Sequence, residues 1–299
     1  MNRKYIFLDI DGTLYSVAQG GIPASAEQAI FAARHNGHKI FLCTGRSLAE
    51  IVSYLDYKCD GFIMGAGAMV YAERKRIFDH PIPPDDVTEF RQLLDGMGLG
   101  YSLEGSAGAY CSPAGYEKLL WYFSGGSKDR SVQIANAEKN CTYPVSYGDE
   151  ASDHIYKICA FGDSWEPKYP ELEKCLKKPY ILTQSMNLPD DHFCIGEITN
   201  GTVNKGTGIG HVLSYYGGSV EDTIGIGDSS NDIPMFRAVH HAIAMGNATP
   251  VTKEAADWVT ADIGSHGILI AFLHENLITV EQYDEILEAL ARQEEGSQK

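Results

Sequence analysis

Short apolar runs divided by polar turns set the rhythm of this chain. Tyr5, Ile6, Phe7 and Leu8 form the first run, which predicts a buried strand. After Gly20, Gly21 and Pro23, Ser25 with Gln28 three positions on reads as a capping box, and Ala29, Ile30 and Ala33 give the following helix an apolar stripe. Gly37 is placed to end it. Residues 39–43 read as a second strand, and Leu48, Ile51, Val52 and Leu55 carry helical spacing. Residues 61–64 read as a third strand. This alternation predicts parallel strands with helices on both faces.

The rhythm then changes. Residues 68–71 and 76–78 pattern as a hairpin, and Pro81, Pro83 and Pro84 punctuate the chain. A helix from about Asp85 places Val87, Phe90, Leu93 and Met97 on one face. Strand patterns recur at 100–103, 109–111, 155–161 and 180–184, with helical patterns near 116–123 and 171–177; residues 124–153 are polar and poorly patterned. From Phe193 the first rhythm resumes, with strands at 193–198, 223–226, 241–244 and 258–259, and helices at 205–216, 232–238, from Pro250, at 267–275 and at 280–293. Thr279 and Gln282 make a capping box for the last helix, and Tyr283, Ile286, Leu287 and Leu290 its apolar face. The expected organisation is one α/β domain from residues 1–80 and 189–299, with a separate α+β unit, 81–188, inserted in it.

Composition narrows the field. A chain of 299 residues, 44% hydrophobic and 21% charged, is globular and large enough for two domains. A net charge of −16 argues against a nucleic-acid partner. The one dense basic run, Arg74-Lys75-Arg76, reads as a solvated hairpin turn. No apolar stretch reaches membrane-span length and no signal segment opens the chain, so a cytoplasmic protein without a membrane partner is expected. The seven cysteines are odd in number and lack a C-x-x-C, which fits reduced, mostly packed thiols. The ten histidines are scattered and do not suggest a metal site.

Four polar clusters interrupt the strands of the outer domain. They are Asp9-x-Asp11 with Gly12 behind it, Thr44-Gly45 after the second strand, Lys205 at a helix start, and Gly227-Asp228-Ser229-Ser230-Asn231-Asp232 after the strand at 223–226. Taken singly, each is also ordinary turn or helix-start chemistry. Asp9 and Asp11 are two apart on a strand end and share a face. Two acids so close repel unless a cation or a shared proton relieves them. Asp9, Asp11 and Asp228 are hard oxygen donors of the kind Mg²⁺ takes. Lys205 adds a fixed positive charge, and Thr44, Gly45 and Asn231 add neutral donors. A cation, an ammonium and several donors around a carboxylate suit a phosphoryl group. One carboxylate can then act as nucleophile and the other as acid and base.

These motifs, in this order, resemble those of the haloacid dehalogenase superfamily of phosphatases, and within it the Cof-like branch, which carries a large α/β cap between its second and third motifs. Ala242-Ile243-Ala244-Met245-Gly246-Asn247-Ala248 and Lys253-Glu254-Ala255-Ala256-Asp257 also resemble that branch. The resemblance implies a doubly wound, Rossmann-like parallel-sheet core with an inserted α+β cap that sets specificity. It implies a Mg²⁺-dependent phosphatase of small phosphorylated metabolites, sugar phosphates foremost, with flavin mononucleotide and pyridoxal phosphate also open. Asp9 resembles the nucleophile that becomes an aspartyl-phosphate, and Asp11 the acid and base. The Asp9 and Asp228 side chains and the Asp11 carbonyl resemble the Mg²⁺ ligands. Thr44, Gly45, Lys205 and Asn231 resemble the phosphate-holding set. Asp232 is expected to orient Lys205 or a metal-bound water, and Arg46 is a weaker substrate contact. Relatives often carry Asn-Gly-Ala where this chain has Ala66-Gly67-Ala68, which puts a substrate contact there in doubt. A phosphohexomutase similar to the phosphomannomutases, or a non-catalytic binding protein on the same fold, are the rival readings. A monomer or small homo-oligomer is expected. Glu104, Tyr110 and Tyr116 of the cap are left open between substrate contact and packing.

Overall fold

The computed structural model of the chain describes residues 2–16, 18–54, 59–124, 126–140, 142–144, 153–188 and 192–297. In chain order the elements are β1 (Tyr5–Leu8), α1 (Ala24–His35), β2 (Lys39–Cys43), β3 (Gly61–Met64), β4 (Met69–Ala72), β5 (Lys75–Asp79), α2 (Pro84–Gly96), β6 (Gly100–Gly105), β7 (Ala109–Cys111), α3 (Pro113–Tyr122), α4 (Arg130–Lys139) and β8 (Thr142–Pro144). There follow β9 (Ile155–Gly162), α5 (Lys168–Cys175), β10 (Tyr180–Leu188), β11 (Phe193–Asn200), α6 (Lys205–Tyr216), β12 (Thr223–Gly227), α7 (Ile233–Phe236), β13 (His241–Ala244), α8 (Pro250–Glu254), β14 (Trp258–Val259), α9 (Gly267–His274) and α10 (Val280–Ser297). They form two compact units. One holds Met1–Gly45, Lys58–Asp79 and Val203–Lys299, and the other Arg46–Tyr57 and His80–Thr202.

The first unit is built on an eight-stranded sheet in the order β14-β13-β12-β1-β2-β3-β4-β5. Pairing is parallel from β14 through β3, and β4 and β5 add antiparallel. All four residues of β1 and of β3 are buried, as continuous apolar runs require of parallel strands covered on both faces. The chain winds outward from β1 through β2 and β3 on one side and from β12 through β13 and β14 on the other. The crevice where the winding reverses lies beyond the carboxyl ends of β1 and β12. Helix α1 packs with α9 and α10, and α6 packs with α7 and against β3, β4 and β5.

The second unit is a six-stranded sheet in the order β10-β11-β9-β6-β7-β8, antiparallel except for the β7–β8 pair. Strand alternation gives it two apolar faces. Leu103, Ile158, Ala160, Cys194 and Ile198 join α2 and α5 in one cluster, while Cys159, Phe161 and Phe193 join Leu119 of α3 in another.

Several expectations are corrected. The strand expected to restart the outer domain, β11, pairs antiparallel with β9 and β10, so the second unit ends at Thr202 and not at residue 188. Its alternating burial fits either sheet, so the pattern alone does not assign it. At the front, the division falls at residue 80, but Arg46–Tyr57 also groups with the second unit. The helix expected over residues 48–55 is a 3-10 helix, Ala49–Tyr54; Leu55 lies outside the described residues. Helix α1 starts before Ser25, since the Pro23 carbonyl already accepts from Ala26 and Glu27. Other expectations hold. The Thr279–Gln282 capping box forms in both directions, at 2.9 and 3.2 Å. The basic run lies at an exposed hairpin whose turn residues, Glu73 and Arg74, both have positive φ. The six described cysteines are free, four of them buried. No helix among the described residues is long and apolar enough to cross a membrane.

Of the open cap residues, Glu104 is buried and pairs with Lys157 at 2.9 Å, while Lys157 also meets Glu197 at 3.1 Å. Burial pushes the Glu104 carboxyl up to about 7 against the pull of Lys157. Tyr110 donates to Asp153 at 3.0 Å.

The Tyr169 hydroxyl, in a wholly buried side chain, points between the carbonyls of Ala160 (2.8 Å) and Cys194 (2.9 Å), tying α5 to β9 and β11. Tyr169→Phe leaves that buried polar gap unmet and is expected to cost about 1–3 kcal/mol, read from the midpoint of urea unfolding.

Candidate active site

Strand β1 delivers the first acid. In register, Leu8 lies opposite Ile226 of β12 and Leu42 of β2, so Asp9, Asp228 and Thr44 reach one sheet edge within about a residue of each other. The Asp9 amide donates to the Ile226 carbonyl at 3.0 Å, which extends the ladder one step past the strand. Asp9 and Thr44 are buried, and the Asp11 side chain is exposed.

Lys205 comes from the start of α6. The Asn204 side chain accepts from the Thr207 amide at 3.0 Å, and the Thr207 hydroxyl accepts from the Asn204 amide at 2.9 Å. This reciprocal cap sets where the helix begins. Gly67 lies against the same point. A Cβ there would stand 2.1 Å from the Asn204 carbonyl oxygen, so only glycine allows the approach. The Lys205 ammonium is 1% exposed and donates to Asp9 Oδ1 (2.6 Å), Asp232 Oδ1 (2.6 Å) and Asn231 Oδ1 (3.1 Å).

Asp232 is fully buried, and its second oxygen accepts from the amides of Asp228 (2.9 Å) and Ser229 (3.0 Å). It therefore clamps the loop after β12 to Lys205. Asp228 stands at the edge of this group, its Oδ1 accepting from the buried Thr13 hydroxyl at 2.9 Å. Gly12, at φ +87°, makes room for it, since a Cβ there would lie 2.4 Å from Asp228 Oδ2.

The charges do not balance. Carboxylate oxygens of Asp9, Asp228 and Asp232 lie within 4.8 Å of one another, around a single ammonium. Burial, then the charge of Asp232, holds the Asp9 carboxyl well above its usual range, although Lys205 opposes this. Burial, reinforced by Asp232, pushes Asp228 up to about 6. Burial disfavours the Lys205 ammonium, but Asp232 and Asp9 overcome it and raise its pKa. Such excess negative charge on hard oxygen donors fits a divalent cation. Asp232 has both oxygens committed, so Asp9 and Asp228 are the side chains left to face one.

Of the residues singled out in the sequence, Asp9, Lys205, Asp228, Asn231 and Asp232 converge directly. Thr44 and Gly45 end β2 at the same edge. Arg46 follows Gly45 directly, and its backbone groups with the second unit. Thr13 and Asn247 had no assigned part. The Asn247 side chain donates to the Gly12 carbonyl at 2.8 Å and accepts from the Ile263 amide at 2.9 Å, pinning the loop after β1. The Asp-x-Asp-Gly-Thr spacing was the available signal for Thr13. Ala66 adopts left-handed φ 55°, ψ 31°, a conformation that Asn tolerates better than Ala.

The sequence profile of the haloacid dehalogenase-like hydrolases matches residues 6–272. A Streptococcus pyogenes relative, named for a phosphatase paired with a peptidyl-prolyl cis-trans isomerase, is 26% identical over 282 residues; the match covers 93% of this chain but 55% of that protein. A Bacillus subtilis relative named 5-amino-6-(5-phospho-D-ribitylamino)uracil phosphatase is 26% identical over 290 residues, covering 89% of this chain and 95% of that one. Among solved structures, a subclass IIB sugar phosphatase superposes with a TM-score of 0.73 at 25% identity, over 92% of this chain and all of that one.

The raised Asp228 value carries a sign. The native carboxyl holds its proton more firmly than the unfolded one, so its contribution to stability is full at low pH and is lost as pH rises from the ordinary 3.8 to about 6. In metal-free buffer, Asp228→Asn is expected to gain stability relative to the wild type across that window. An added divalent cation should return the advantage to the wild type above it, as read by scanning calorimetry.

Proposed function

Because the chain belongs to the haloacid dehalogenase-like hydrolases and is a phosphatase of that family, we propose that it hydrolyses small phosphate monoesters through a phosphoryl group carried on Asp9. The observation that supports this best is the buried Lys205 ammonium, 2.6 Å from Asp9 and from Asp232. An ammonium so placed holds the nucleophile's inner oxygen and leaves its other oxygen to attack phosphorus in line. Lys205, the Thr44 hydroxyl, the Gly45 amide and the Asn231 side chain are the donors for the phosphoryl oxygens, whose charge spreads in the transition state. The exposed Asp11 carboxyl protonates the leaving alcohol, then takes a proton from the water that frees Asp9. Asp232 keeps Lys205 and the Asp228 loop in place.

We assign a magnesium ion to the Asp9 and Asp228 side chains and the Asp11 carbonyl. Such an ion offsets the repulsion between carboxylate and phosphate. The inserted unit is assigned the choice of leaving group. Sugar phosphates are the proposed class, supported by the sugar phosphatase among the similar structures. The six free cysteines support a reducing, cytoplasmic setting.

Asp9→Asn keeps the shape and removes the nucleophile, so kcat is expected to fall by roughly 10⁴-fold or more while the far-ultraviolet spectrum is unchanged. Comparable turnover by the purified variant would overturn the assignment of Asp9. EDTA should remove activity on a chromogenic phosphate ester and Mg²⁺ restore it; full activity in metal-free protein would exclude the role given to Asp228. Incubation with a hexose 1-phosphate should release inorganic phosphate, whereas an isomeric hexose phosphate would make the protein a mutase.

A further inference from the structure

A second charged site lies within the first unit, away from the catalytic carboxylates. A cavity of about 430 Å³ is lined by Arg3, Arg34, Lys39, His35, His38 and Asp60, among others. Arg3 precedes β1 and Lys39 opens β2, so this is the amino-terminal edge of the sheet. Asp9 and Thr44 follow the other ends of the same two strands. At about 3.3 Å per residue, strands of this length separate the two edges by roughly 13–17 Å.

The lining is cationic in a chain of net charge −16. Three cations face one carboxylate, and that carboxylate is fully used. Asp60 accepts from Arg34 Nε (3.0 Å), Lys39 Nζ (3.0 Å) and the Ile40 amide (3.0 Å). Glu73 stands 3.7 Å from Lys39 but is not part of the lining. Arg34 spends its Nε and Nη2 hydrogens on Asp60 and keeps others. Arg3 is exposed, and among the described residues its side chain makes no hydrogen bond or ion pair.

His38 lines the same cavity and can report on its contents. It is 97% buried, with 3% of its surface exposed, and its Nδ1 accepts from the Lys4 amide at 3.1 Å. The ring's hydrogen therefore sits on Nε2, and Nε2 has no hydrogen-bond partner. Nε2 is closed to solvent, so the ring reports a ligand in the cavity as a neighbouring charge and not through a hydrogen bond. A cation would find no vacant carboxylate oxygen on Asp60, and an apolar ligand would leave Arg3 and the spare Arg34 hydrogens unmet. An acceptor with negative charge answers both arginines.

We infer that this cavity is an anion-binding site, separate from the catalytic centre, that takes a small oxyanion of the phosphate or carboxylate type. The guanidinium forks of Arg3 and Arg34 match the paired oxygens of either group. The inference stands without the proposed catalytic mechanism, because none of its residues belongs to that mechanism.

The test is a titration of full-length protein carrying ¹⁵N-labelled histidine, followed by the imidazole signals at fixed pH. The His38 signal is assigned by its loss in His38→Gln. Inorganic phosphate and succinate are added in separate arms, each against sodium chloride at matched ionic strength. A saturable shift of the His38 signal with phosphate, succinate or both is the expected result, and the arm that saturates at lower concentration names the source. In Arg3→Gln the apparent Kd should rise about tenfold, the equivalent of one lost charge-assisted contact, with turnover of a chromogenic phosphate ester unchanged. Arg34→Gln should weaken binding further. The inference is overturned if neither anion moves the His38 signal, if chloride moves it equally, or if both arginine variants bind as the wild type does.

Discussion

The buried ion triad of Lys205 with Asp9 and Asp232 is the constraint on which the catalytic unit depends. An ammonium 1% exposed to solvent cannot remain charged without close carboxylates. Both lie at 2.6 Å, and they come from the end of β1 and the loop after β12. Three chain segments must therefore meet at one point: the edge of β1, the Asp228 loop and the capped start of α6. Such a triad is weak evidence of added stability, because desolvating three charges consumes most of their attraction. Its value lies in position. Removing Lys205 leaves two buried carboxylates without a counter-charge, so the arrangement admits few alternatives at that position.

The parts around the triad follow from it. With Asp232 spent on Lys205 and on two loop amides, Asp228 is left displaced toward the crevice, steadied by Thr13 and seated against Gly12. Asn247 holds the Gly12 carbonyl from the far side of the sheet order, through the loop after β13. The loop that carries Asp11 is thus fixed at its base while its acid stays exposed. That division suits the roles proposed for the two acids, a rigid nucleophile beside a proton carrier that must meet solvent. The second unit follows a different logic. Its mostly antiparallel sheet has both faces covered, and it admits buried charge at Glu104 and Lys157, where cross-strand register on β6 and β9 sets the two side by side.

Much of this was legible in the chain. The parallel core strands are short apolar runs, and their ends carry Asp9, Thr44 and Asp228. Local chemistry also announced the Asn204–Lys205 helix start and the Thr279–Gln282 capping box. What was not legible depends on pairing. β11 alternates buried and half-buried residues, which suits either sheet, and only its pairing with β9 and β10 places it in the second unit. Helix α4 and strand β8 fall in a polar stretch whose periodicity is too weak to read. Arg46 follows Gly45 directly in sequence, yet it groups with the other unit.

The sequence by itself determined the kind of chemistry, because residue types at strand ends are local facts: two acids around Ile10, a lysine behind a capping asparagine, an acid-rich loop with a glycine before it. Only the tertiary structure decided how those groups share charge. Asp232 was expected to serve either Lys205 or a metal-bound water, and the geometry spends one of its oxygens on Lys205 and the other on the Asp228 and Ser229 amides. The cationic cavity at the opposite edge was likewise invisible along the chain. Arg3, Arg34, Lys39 and Asp60 are far apart in sequence, and they gather only because β1, α1 and β2 bring the starts of neighbouring strands side by side.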